Sequence, residues 1–518
     1  MSNLYWVLPA SWESVRLGHF VENEKGKKPK RQTAEKTPEY NLPYVDIEAF
    51  EEGNIKSWTN GENCRICYES DFLMVWDGSR SGLVGKGMYG ALGSTLVRIN
   101  FPGMNNQYAY YFLLSKYQEI NTRTKGSGTP HVDPDLLWNY EFPIPPLNEQ
   151  KRIVNKIEEL FSKLDNGITA LKTVREQLKV YRQALLKNAF EGKLTAKWRE
   201  KNADRLESSE QLLARIQQER ETRYQKQLDE WKAAVKAWEV NCKEGKKPGK
   251  PKPLKDFGYL QEDILTTLPI LPDSWTWKKL GFLTTGVEYG TSAKSSEKGQ
   301  TPVIRMGNLQ NGGIDWSDLV YTSDSEEIKK YSLRKDDVLF NRTNSPELVG
   351  KTAKYKGERP ALFAGYLIRI NQIENIALAD YVNYFLNSHI AKQYGNSVKT
   401  DGVNQSNING EKLQNYPFPF CSMEEQSVIV EMLEEKISLT NAAIRDIELQ
   451  LVKADTLRQS ILKKAFSGQL VPQDPNDEPA GELLARIQAE KAAQKATVKP
   501  KTQMDFGSKR GHKLRVTS

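Results

Sequence analysis

The sequence predicts a mixed α/β (α+β) chain in which two similar globular domains alternate with two long helices. Three observations support this fold class. An apolar stripe at helical spacing runs through residues 147–194, the same stripe returns 276 residues later (426 − 150), and short motifs of the globular parts also occur twice in the same order. Since 518 residues exceed one ordinary hydrophobic core, several domains are expected.

The first long helix is predicted over residues 149–190. Its apolar residues recur at steps of three and four, which is the period of one buried helical face. Pro145 and Pro146 precede the stripe and Gly192 follows it, as typical start and stop signals. A helix of this span is about 60 Å long. The stripe consists of Ile153, Ile157, Leu160, Leu164, Ile168, Leu171, Val174, Leu178, Tyr181 and Leu185.

The second long helix has the same length as the first. The offset between the copies is 276 at Gln150 and Gln426 (426 − 150), and it is still 276 at Leu194 and Leu470 (470 − 194). One inserted residue would rotate everything beyond it by about 100°. The constant spacing therefore predicts that packing fixes the helix length, and the natural packing partner is the other copy.

The globular parts also repeat, but their offset drifts. It is 263 at Leu8 and Leu271 (271 − 8) and 265 at Gly85 and Gly350 (350 − 85), because loops between short strands tolerate insertions. We predict strands at residues 72–76, 95–99, 337–340 and 364–370, and single helices at 108–117 and 380–391.

Four polar stretches lie outside this pattern. Residues 22–36 are a charged, Pro-containing insertion, for which we predict a mobile loop. Residues 207–239 are predicted to form an exposed, charged helix, followed by a Lys/Pro/Gly linker at 243–255. The tail after residue 491 has the same basic composition and is predicted to be disordered. Simple solvation or auxiliary phosphate contact would explain the linker and the tail.

Composition narrows the function classes. The net charge of +8 is a mild basic excess that is compatible with nucleic acid. Four scattered cysteines form no disulfide framework, which favours a reducing cytoplasm. Cys64 and Cys67 form a lone CxxC without the second pair that zinc requires. We expect no signal peptide and no membrane-spanning helix.

Catalytic motifs are incomplete. Gly350-Lys351-Thr352 is similar to the end of a P-loop, but Ser345 stands where that motif requires glycine, so a turn with a basic residue is predicted. The four histidines are far apart and match no catalytic triad spacing. We therefore expect no covalent chemistry, no metal and no cofactor in this chain.

Two ordered sets of motifs resemble a known family. The first set consists of Pro-Ile-Pro-Pro at residues 143–146, Glu149-Gln150, and Ala-Phe-x-Gly-x-Leu at residues 189–194. The second set places Glu425-Gln426 and Ala-Phe-x-Gly-x-Leu at residues 465–470. Doubled over essentially the whole chain, these motifs resemble the specificity subunit of type I restriction–modification enzymes. The insertion at 22–36 and Pro-Phe-Pro-Phe at 417–420 depart from the family pattern.

The resemblance implies an architecture and partners. The two helices would pair as an antiparallel coiled coil with pseudo-two-fold symmetry, which spaces two target-recognition domains. Each domain would read one half of a split, asymmetric site in double-stranded DNA. Two methyltransferase subunits with S-adenosylmethionine would methylate adenine N6, and restriction subunits with ATP and Mg²⁺ would join them, in a bacterial or archaeal cytoplasm. The implied segments are recognition domain 1 (1–146), helix 1 (147–200), charged helix and linker (201–268), recognition domain 2 (269–421), helix 2 (422–470) and a helical or disordered basic tail (471–518).

Polar loops between the strands are the predicted DNA contacts, because Arg, Asn and Gln can read base edges while Lys mostly meets phosphate. The chosen residues of the first domain are Ser79, Arg80, Lys86, Arg123, Lys125 and Ser127. Those of the second domain are Arg342, Asn344, Ser345, Lys399, Asn404, Gln405 and Asn407.

Two other readings remain at this point. A coiled-coil scaffold with two protein-binding heads would explain the helices equally well, and salt-dependent affinity for duplex DNA would distinguish it. A nuclease or methyltransferase lacks its motifs here, and binding of S-adenosylmethionine by the isolated chain would favour it.

Overall fold

The computed structural model describes residues 8–126, 128–241, 243–245, 247–251 and 253–497. The chain divides into two compact units that do not follow chain order. Unit 1 comprises Met1–Leu171 and Glu448–Ser518, and unit 2 comprises Lys172–Ile447. Each unit therefore contains one globular domain and parts of both long helices.

The N-terminal domain (residues 8–146) lies in unit 1. Its helices are α1 (Ile47–Glu52), α2 (Asn106–Thr122) and α3 (Pro134–Trp138). Its strands are β1 (Glu13–Arg16), β2 (Glu22–Lys25), β3 (Leu42–Val45), β4 (Trp58–Thr59), β5 (Ile66–Cys67), β6 (Phe72–Val75), β7 (Val84–Lys86), β8 (Gly90–Leu92), β9 (Leu96–Asn100) and β10 (Glu141–Ile144).

Four helices follow before the C-terminal domain (residues 269–421), which lies in unit 2. They are α4 (Leu147–Phe190), α5 (Ala196–Lys201), α6 (Ser209–Val240) and α7 (Glu262–Thr267). The strands of the domain are β11 (Thr276–Lys279), β12 (Thr284–Tyr289), β13 (Thr301–Ile304), β14 (Leu309–Gln310), β15 (Gly313–Ile314), β16 (Val320–Thr322), β17 (Val338–Asn341), β18 (Thr343–Asn344), β19 (Thr352–Lys354), β20 (Leu362–Phe363), β21 (Leu367–Gln372), β22 (Thr400–Asp401), β23 (Ser406–Asn407) and β24 (Pro417–Phe420). Its helices are α8 (Ser325–Tyr331), α9 (Ala379–Leu386), α10 (His389–Val398) and α11 (Gly410–Gln414), and then come α12 (Met423–Phe466) and α13 (Ala480–Thr497).

The two domains share one sheet topology. The antiparallel sheet β2-β9-β6-β7 of the N-terminal domain returns as β12-β21-β17-β19. The parallel pair of β3 and β8 returns as β13 and β20, and the pair β1-β10 returns as β11-β24. The prediction of two similar mixed α/β domains is thus confirmed.

Each domain core is completed by segments of both long helices. In unit 1, Ile153 and Ile157 of α4 share a core with Leu462 and Ala465 of α12. Near the start of α4, Glu149 accepts a hydrogen bond from Gln473, which follows α12. Further along α4, Asp165 forms an ion pair with Arg458 of α12. The numbers rise on one helix as they fall on the other, so these segments are antiparallel. The prediction that the helix packs against its other copy is confirmed.

A buried glutamate fastens the helix start to each domain, and we call these contacts the clasps. In unit 1, Glu149 accepts hydrogen bonds from Trp12 Nε1 at 3.0 Å and from Gln473 Nε2 at 2.7 Å. The first clasp therefore joins the residue before β1, the start of α4 and the chain after α12. Burial raises the pKa of the Glu149 carboxyl, and the hydrogen bonds from these two neutral donors offset only part of that rise.

The clasp of unit 2 contains a positive charge. Glu425 is fully buried and accepts hydrogen bonds from Trp275 Nε1 at 2.7 Å, Thr195 Oγ1 at 2.6 Å and Arg199 Nη1 at 2.5 Å. The neighbouring Gln426 accepts from the backbone of Leu378 at 3.0 Å, as Gln150 does from Asn105 in unit 1. The repeated Glu-Gln pair is thus a structural connection in both units.

Predicted element positions are largely confirmed. The helix predicted over 149–190 is α4, and the helix predicted over 108–117 lies within α2. The predicted strands overlap β6, β9, β17 and β21. The single helix predicted over 380–391 is wrong. It is split into α9 and α10, because the Ser388 side chain accepts from the backbone of Ala391 and starts a new helix.

The mobile loop predicted over 22–36 is also wrong. Glu22–Lys25 form β2, which pairs with β9, and the backbone of Thr33 bonds that of Trp58. The charges suggested mobility, but Glu24 forms ion pairs with Arg98 at 3.0 Å and with Arg65 at 3.1 Å. Strand pairing satisfies the backbone, while charged side chains remain partly solvated.

The charged helix α6 is less exposed than predicted at its start, where Leu212, Ile216 and Arg220 are buried in unit 2. The following linker runs back beside α6, because Trp231 Nε1 donates to Pro248 O and Trp238 Nε1 to Gly245 O, both at 3.1 Å. The tail predicted to be disordered lies outside the described residues beyond position 497. Among the described helices, none is long and apolar enough to cross a membrane.

Candidate nucleic-acid interface

A hairpin loop between β6 and β7 presents two of the predicted residues in the N-terminal domain. Ser81 is buried, and its hydroxyl donates to the carbonyls of Gly78 at 2.6 Å and Trp76 at 3.1 Å. These bonds fix the shape of the loop, and Ser79 and Arg80 at its tip are exposed.

The segment after α2 lies against this hairpin. Asn121 Nδ2 donates to the carbonyl of Ser79 at 2.9 Å, and the backbone of Gly78 donates to Pro130 at 2.8 Å. Arg123 and Lys125 are exposed on this adjoining segment. The structure therefore brings both residues to the surface that carries the hairpin tip.

Acidic residues already neutralise these cations. Arg80 pairs with Glu51, and Arg123 pairs with Glu119 at 3.4 Å. Lys125 lies 2.7 Å from Asp133, and the hydrogen bond between them raises the pKa of the lysine. Arg123 and Glu119 are both exposed, and exposed ion pairs contribute little to stability, so a phosphate can replace Glu119 at small cost.

Two predicted residues fall elsewhere. Lys86 pairs with Phe72 at the end of the β6–β7 hairpin opposite its loop, so the structure does not group it with Arg80. Ser127 lies outside the described residues.

A three-stranded ribbon, β18-β23-β22, carries most of the predicted residues in the C-terminal domain. Asn344 pairs with Ser406, and Thr343 pairs with Asn407. Asn404 and Gln405 are exposed in the turn between β22 and β23, where the backbone of Gly402 donates to Gln405 at 2.8 Å. The ribbon thus gathers amide side chains from two distant parts of the sequence.

Arg342 anchors this ribbon to the larger sheet. Its guanidinium lies 4.9 Å from the ring centroid of Tyr289, and its backbone bonds Tyr366 and Ile408. Its Nε is buried without a hydrogen-bond partner among the described residues. Arg342 therefore combines a structural contact with an unused donor.

Lys399 and Ser345 support the base of the ribbon. Lys399 Nζ donates to the carbonyl of Pro346 at 3.3 Å and lies 3.8 Å from Asp401, and its side chain is 14% exposed. The backbone of Ser345 donates to the Asn344 side chain at 2.8 Å. The lysine mainly joins the ribbon to the preceding loop.

Sequence reasoning missed Val403, Tyr366 and Tyr289 near these residues. Val403 is fully exposed at the ribbon turn, and Tyr366 is 52% exposed beside Arg342. The Asp401-Gly402 pair is a hairpin signal that could have identified the turn. No comparable local signal marks Tyr289, since its position depends on distant contacts. Among the described residues, no group of His, Cys, Asp and Glu is placed to hold a metal ion.

The profile of a known family matches both repeats of the chain. Its description is type I restriction modification DNA specificity domain, and it matches residues 9–179 and 275–452. The chain belongs to the family of type I restriction–modification specificity subunits. These subunits are non-catalytic, which agrees with the incomplete catalytic motifs.

Two similar proteins are specificity subunits of type I restriction enzymes. The chain is 34% identical to the MjaVIII specificity subunit of Methanocaldococcus jannaschii over 186 residues, which are 35% of this chain and 43% of that protein. It is 26% identical to the EcoKI specificity subunit of Escherichia coli K12 over 402 residues, 74% of this chain and 71% of that one.

A solved structure supports the fold. It comes from work on complex assembly and conformational transition of the type I R-M system, and it superposes with a TM-score of 0.60 at 18% identity. The match covers 89% of this chain and 99% of that one. The family and this superposition together establish two specificity domains on a helical frame.

Proposed function

We propose that this specificity subunit reads a split, asymmetric site in double-stranded DNA, one half with each domain. The observation that carries the proposal is the pair of equivalent hairpins, β6–β7 and β17–β19, which have the same place in matching sheets but different loops. The first loop presents Ser79 and Arg80, whereas the second leads into the amide-rich ribbon. Since the frames match and the polar groups differ, the two half-sites differ in sequence.

The two surfaces use different contacts. Arg80 and the amides of Asn344, Asn404, Gln405 and Asn407 can form paired hydrogen bonds with base edges. Arg123 and Lys125 are better suited to phosphates, which set position without reading sequence. Val403 offers an apolar contact for a thymine methyl group.

The helical parts are the proposed spacer and docking sites for two methyltransferase subunits. Tyr181 and Leu457 are about half exposed and occupy equivalent places, 276 residues apart (457 − 181). Val180 and its equivalent Thr456 (456 − 180 = 276) are exposed beside them. Two copies of one helix surface fit two copies of one partner. In this proposal those partners bind S-adenosylmethionine and methylate adenine N6, while restriction subunits with ATP and Mg²⁺ join the complex.

The test is methylation-site sequencing with alanine variants in the assembled methyltransferase. Gln405→Ala should relax the half-site read by the C-terminal domain, with a loss of about 1–3 kcal/mol in discrimination at one base pair. Arg80→Ala should affect only the other half-site. Lys86→Ala, at the far end of the same hairpin, is the matched control. If Gln405→Ala and Arg80→Ala both leave the methylated sequence and the DNA affinity unchanged, the proposed reading surfaces are wrong.

A further inference from the structure

A cavity of about 110 Å³ lies in unit 2 between helix α10 and the loop that joins β18 to β19. Lys351 of the loop and Lys392 of α10 both line it, and Tyr416 forms part of its wall. The volume holds several water molecules, so the cavity also has room for an anion of the size of a phosphate group.

The two lysines of the cavity lack carboxylate partners among the described residues. The side chains of Lys351 and Lys392 form no ion pair and no hydrogen bond with them, whereas the nearby Lys354 pairs with Asp380. Partial burial lowers the pKa of Lys392, and the positive charges of Arg182 and Lys351 lower it further. The cavity therefore holds positive charge that a bound anion would stabilise.

The Tyr416 hydroxyl is an unused donor beside these lysines. Tyr416 is 2% exposed, and its ring packs against those of Phe340 and Tyr394. A Cβ atom on Gly395 of α10 would lie 2.5 Å from the hydroxyl oxygen, so glycine is needed where α10 approaches it. The hydroxyl forms no hydrogen bond with any residue that the structure describes. A buried hydroxyl without a partner costs free energy, and a bound anion would accept its hydrogen bond.

Among the residues described around the cavity, Glu347 supplies a carboxylate. Hydrogen bonds with its own backbone and with Ser345 lower the pKa of Glu347, as does the charge of Lys399. Neither lysine of the cavity contributes to this shift. The charge of Glu347 is therefore already engaged by the loop and by the base of the ribbon.

The N-terminal domain supplies its own anion at the equivalent tyrosine. Tyr140 corresponds to Tyr416 (416 − 140 = 276). Burial and the nearby carboxylate of Glu119 in α2 raise the pKa of Tyr140. Glu119 also pairs with Lys116 at 3.9 Å and with Arg123 at 3.4 Å. Each domain thus groups two cations with a tyrosine, but in the described parts of the chain only the N-terminal group pairs with a carboxylate of the protein.

The cavity adjoins the base of the ribbon. At the end of β17, the backbone of Asn341 donates to the carbonyl of Lys351 at 2.8 Å. Thr343 of the ribbon follows two residues later, and two extended residues span about 7 Å. Pro346, whose carbonyl accepts from Lys399, lines the cavity as well. A duplex that is read by the ribbon would therefore bring its backbone close to the cavity.

We propose that this cavity binds one phosphate of the DNA backbone. Lys351 and Lys392 neutralise its charge, and the Tyr416 hydroxyl donates a hydrogen bond to it. The inference rests on the proposed reading of DNA by the C-terminal domain and adds to it a contact that sets position without reading sequence. The ribbon reads bases, and the cavity fixes the register of the duplex against the ribbon.

Methylphosphonate scanning of the DNA tests the site in the assembled methyltransferase. In a duplex with the methylated sequence, each phosphate in and beside the C-terminal half-site is replaced in turn by a neutral methylphosphonate. One position should weaken wild-type binding by about tenfold, because a charged hydrogen-bond acceptor is lost. In Lys351→Ala/Lys392→Ala, that position should no longer matter.

Two outcomes of the scan are separable. If the wild-type complex binds no duplex, the proposed function itself fails. If it binds and the lysine variant gives the same profile, only the phosphate site is wrong. A cavity that takes free inorganic phosphate instead would also leave the two profiles identical, and that result overturns the proposal.

Salt dependence counts the contacts. The logarithm of the affinity falls with the logarithm of the salt concentration by about 0.9 for each phosphate that is neutralised. The double lysine variant should reduce this slope by about 0.9 and leave the methylated sequence unchanged. Lys356→Ala is the matched control, since this lysine is exposed beyond the opposite end of β19. A reduction of about 1.8 would mean two independent contacts and would contradict one shared phosphate.

The same substitution in both domains tests the hydroxyl. Tyr416→Phe should weaken DNA binding by about fivefold, because one hydrogen bond is lost while the ring packing is kept. Tyr140→Phe should leave the affinity unchanged, because its cations already pair with Glu119. Equal effects of the two substitutions would exclude a role of the Tyr416 hydroxyl in the site.

Discussion

Replacing each clasp glutamate by glutamine should give two different losses of stability. Glu425→Gln removes a fully buried charge from beside Arg199, whose side chain is 14% exposed. The new amide can accept from Thr195 and Arg199 or from Trp275, but its NH₂ group then faces the remaining donor. Breaking a buried pair costs about 3 kcal/mol or more, since the partner charge stays buried.

Glu149→Gln should cost less. Its two donors, Trp12 and Gln473, are neutral, and the burial that raises the pKa of Glu149 penalises the carboxylate itself. Glutamine keeps one of the two hydrogen bonds and removes the buried charge. The expected loss is about 1 kcal/mol.

Hydrogen exchange measured separately at residues 12–20 and 275–283 resolves the two units. The expected difference of about 2 kcal/mol corresponds to about 30-fold in local exchange rate. Glu424→Gln, on the exposed face beside Glu425, is the control and should change neither region. Equal effects of the two clasp substitutions would refute the assigned importance of Arg199.

Three further outcomes are expected. Folded unit 1 holds the Glu149 proton more tightly than the unfolded chain, so its stability should fall as pH rises from 4.5 through the raised pKa, and Glu149→Gln should remove this slope in pH-dependent denaturation. Native mass spectrometry should detect two methyltransferase subunits per chain and no methylation by the chain alone, and a single bound subunit would contradict the proposed docking. Inserting four helical residues, about 6 Å, should lengthen the unread gap by one or two base pairs and leave both half-sites unchanged. The insertion belongs within α4 and not after Thr195, because Thr195 is a buried part of the second clasp. Altered half-sites with an unaltered gap would exclude the spacer role.

Polar loop composition predicts the proposed reading surfaces only in part. It identified the tip residues Ser79 and Arg80 and the ribbon residues Asn404 and Gln405. Composition could not distinguish Lys86 from the tip residues, although strand register places Lys86 at the opposite end of the hairpin. It also could not show that Lys399 supports the base of the ribbon. Loop composition reports local polarity, whereas grouping of side chains depends on which strands pair.

The sequence by itself determines the repeat, the helix length and the domain class, because these depend on the periodicity and spacing of residues along the chain. The sequence does not determine which domain the end of each long helix packs against. Phe190 closes the helix that follows the N-terminal domain, yet it packs 5.2 Å from the ring of Tyr381 in the C-terminal domain. Phe466 packs equally close to Tyr108 of the N-terminal domain. Both copies present the same Ala-Phe motif and nearly the same aromatic receptor, so local chemistry permits either pairing. Only the antiparallel course of two 44-residue helices brings each Phe to the domain farther from it in sequence.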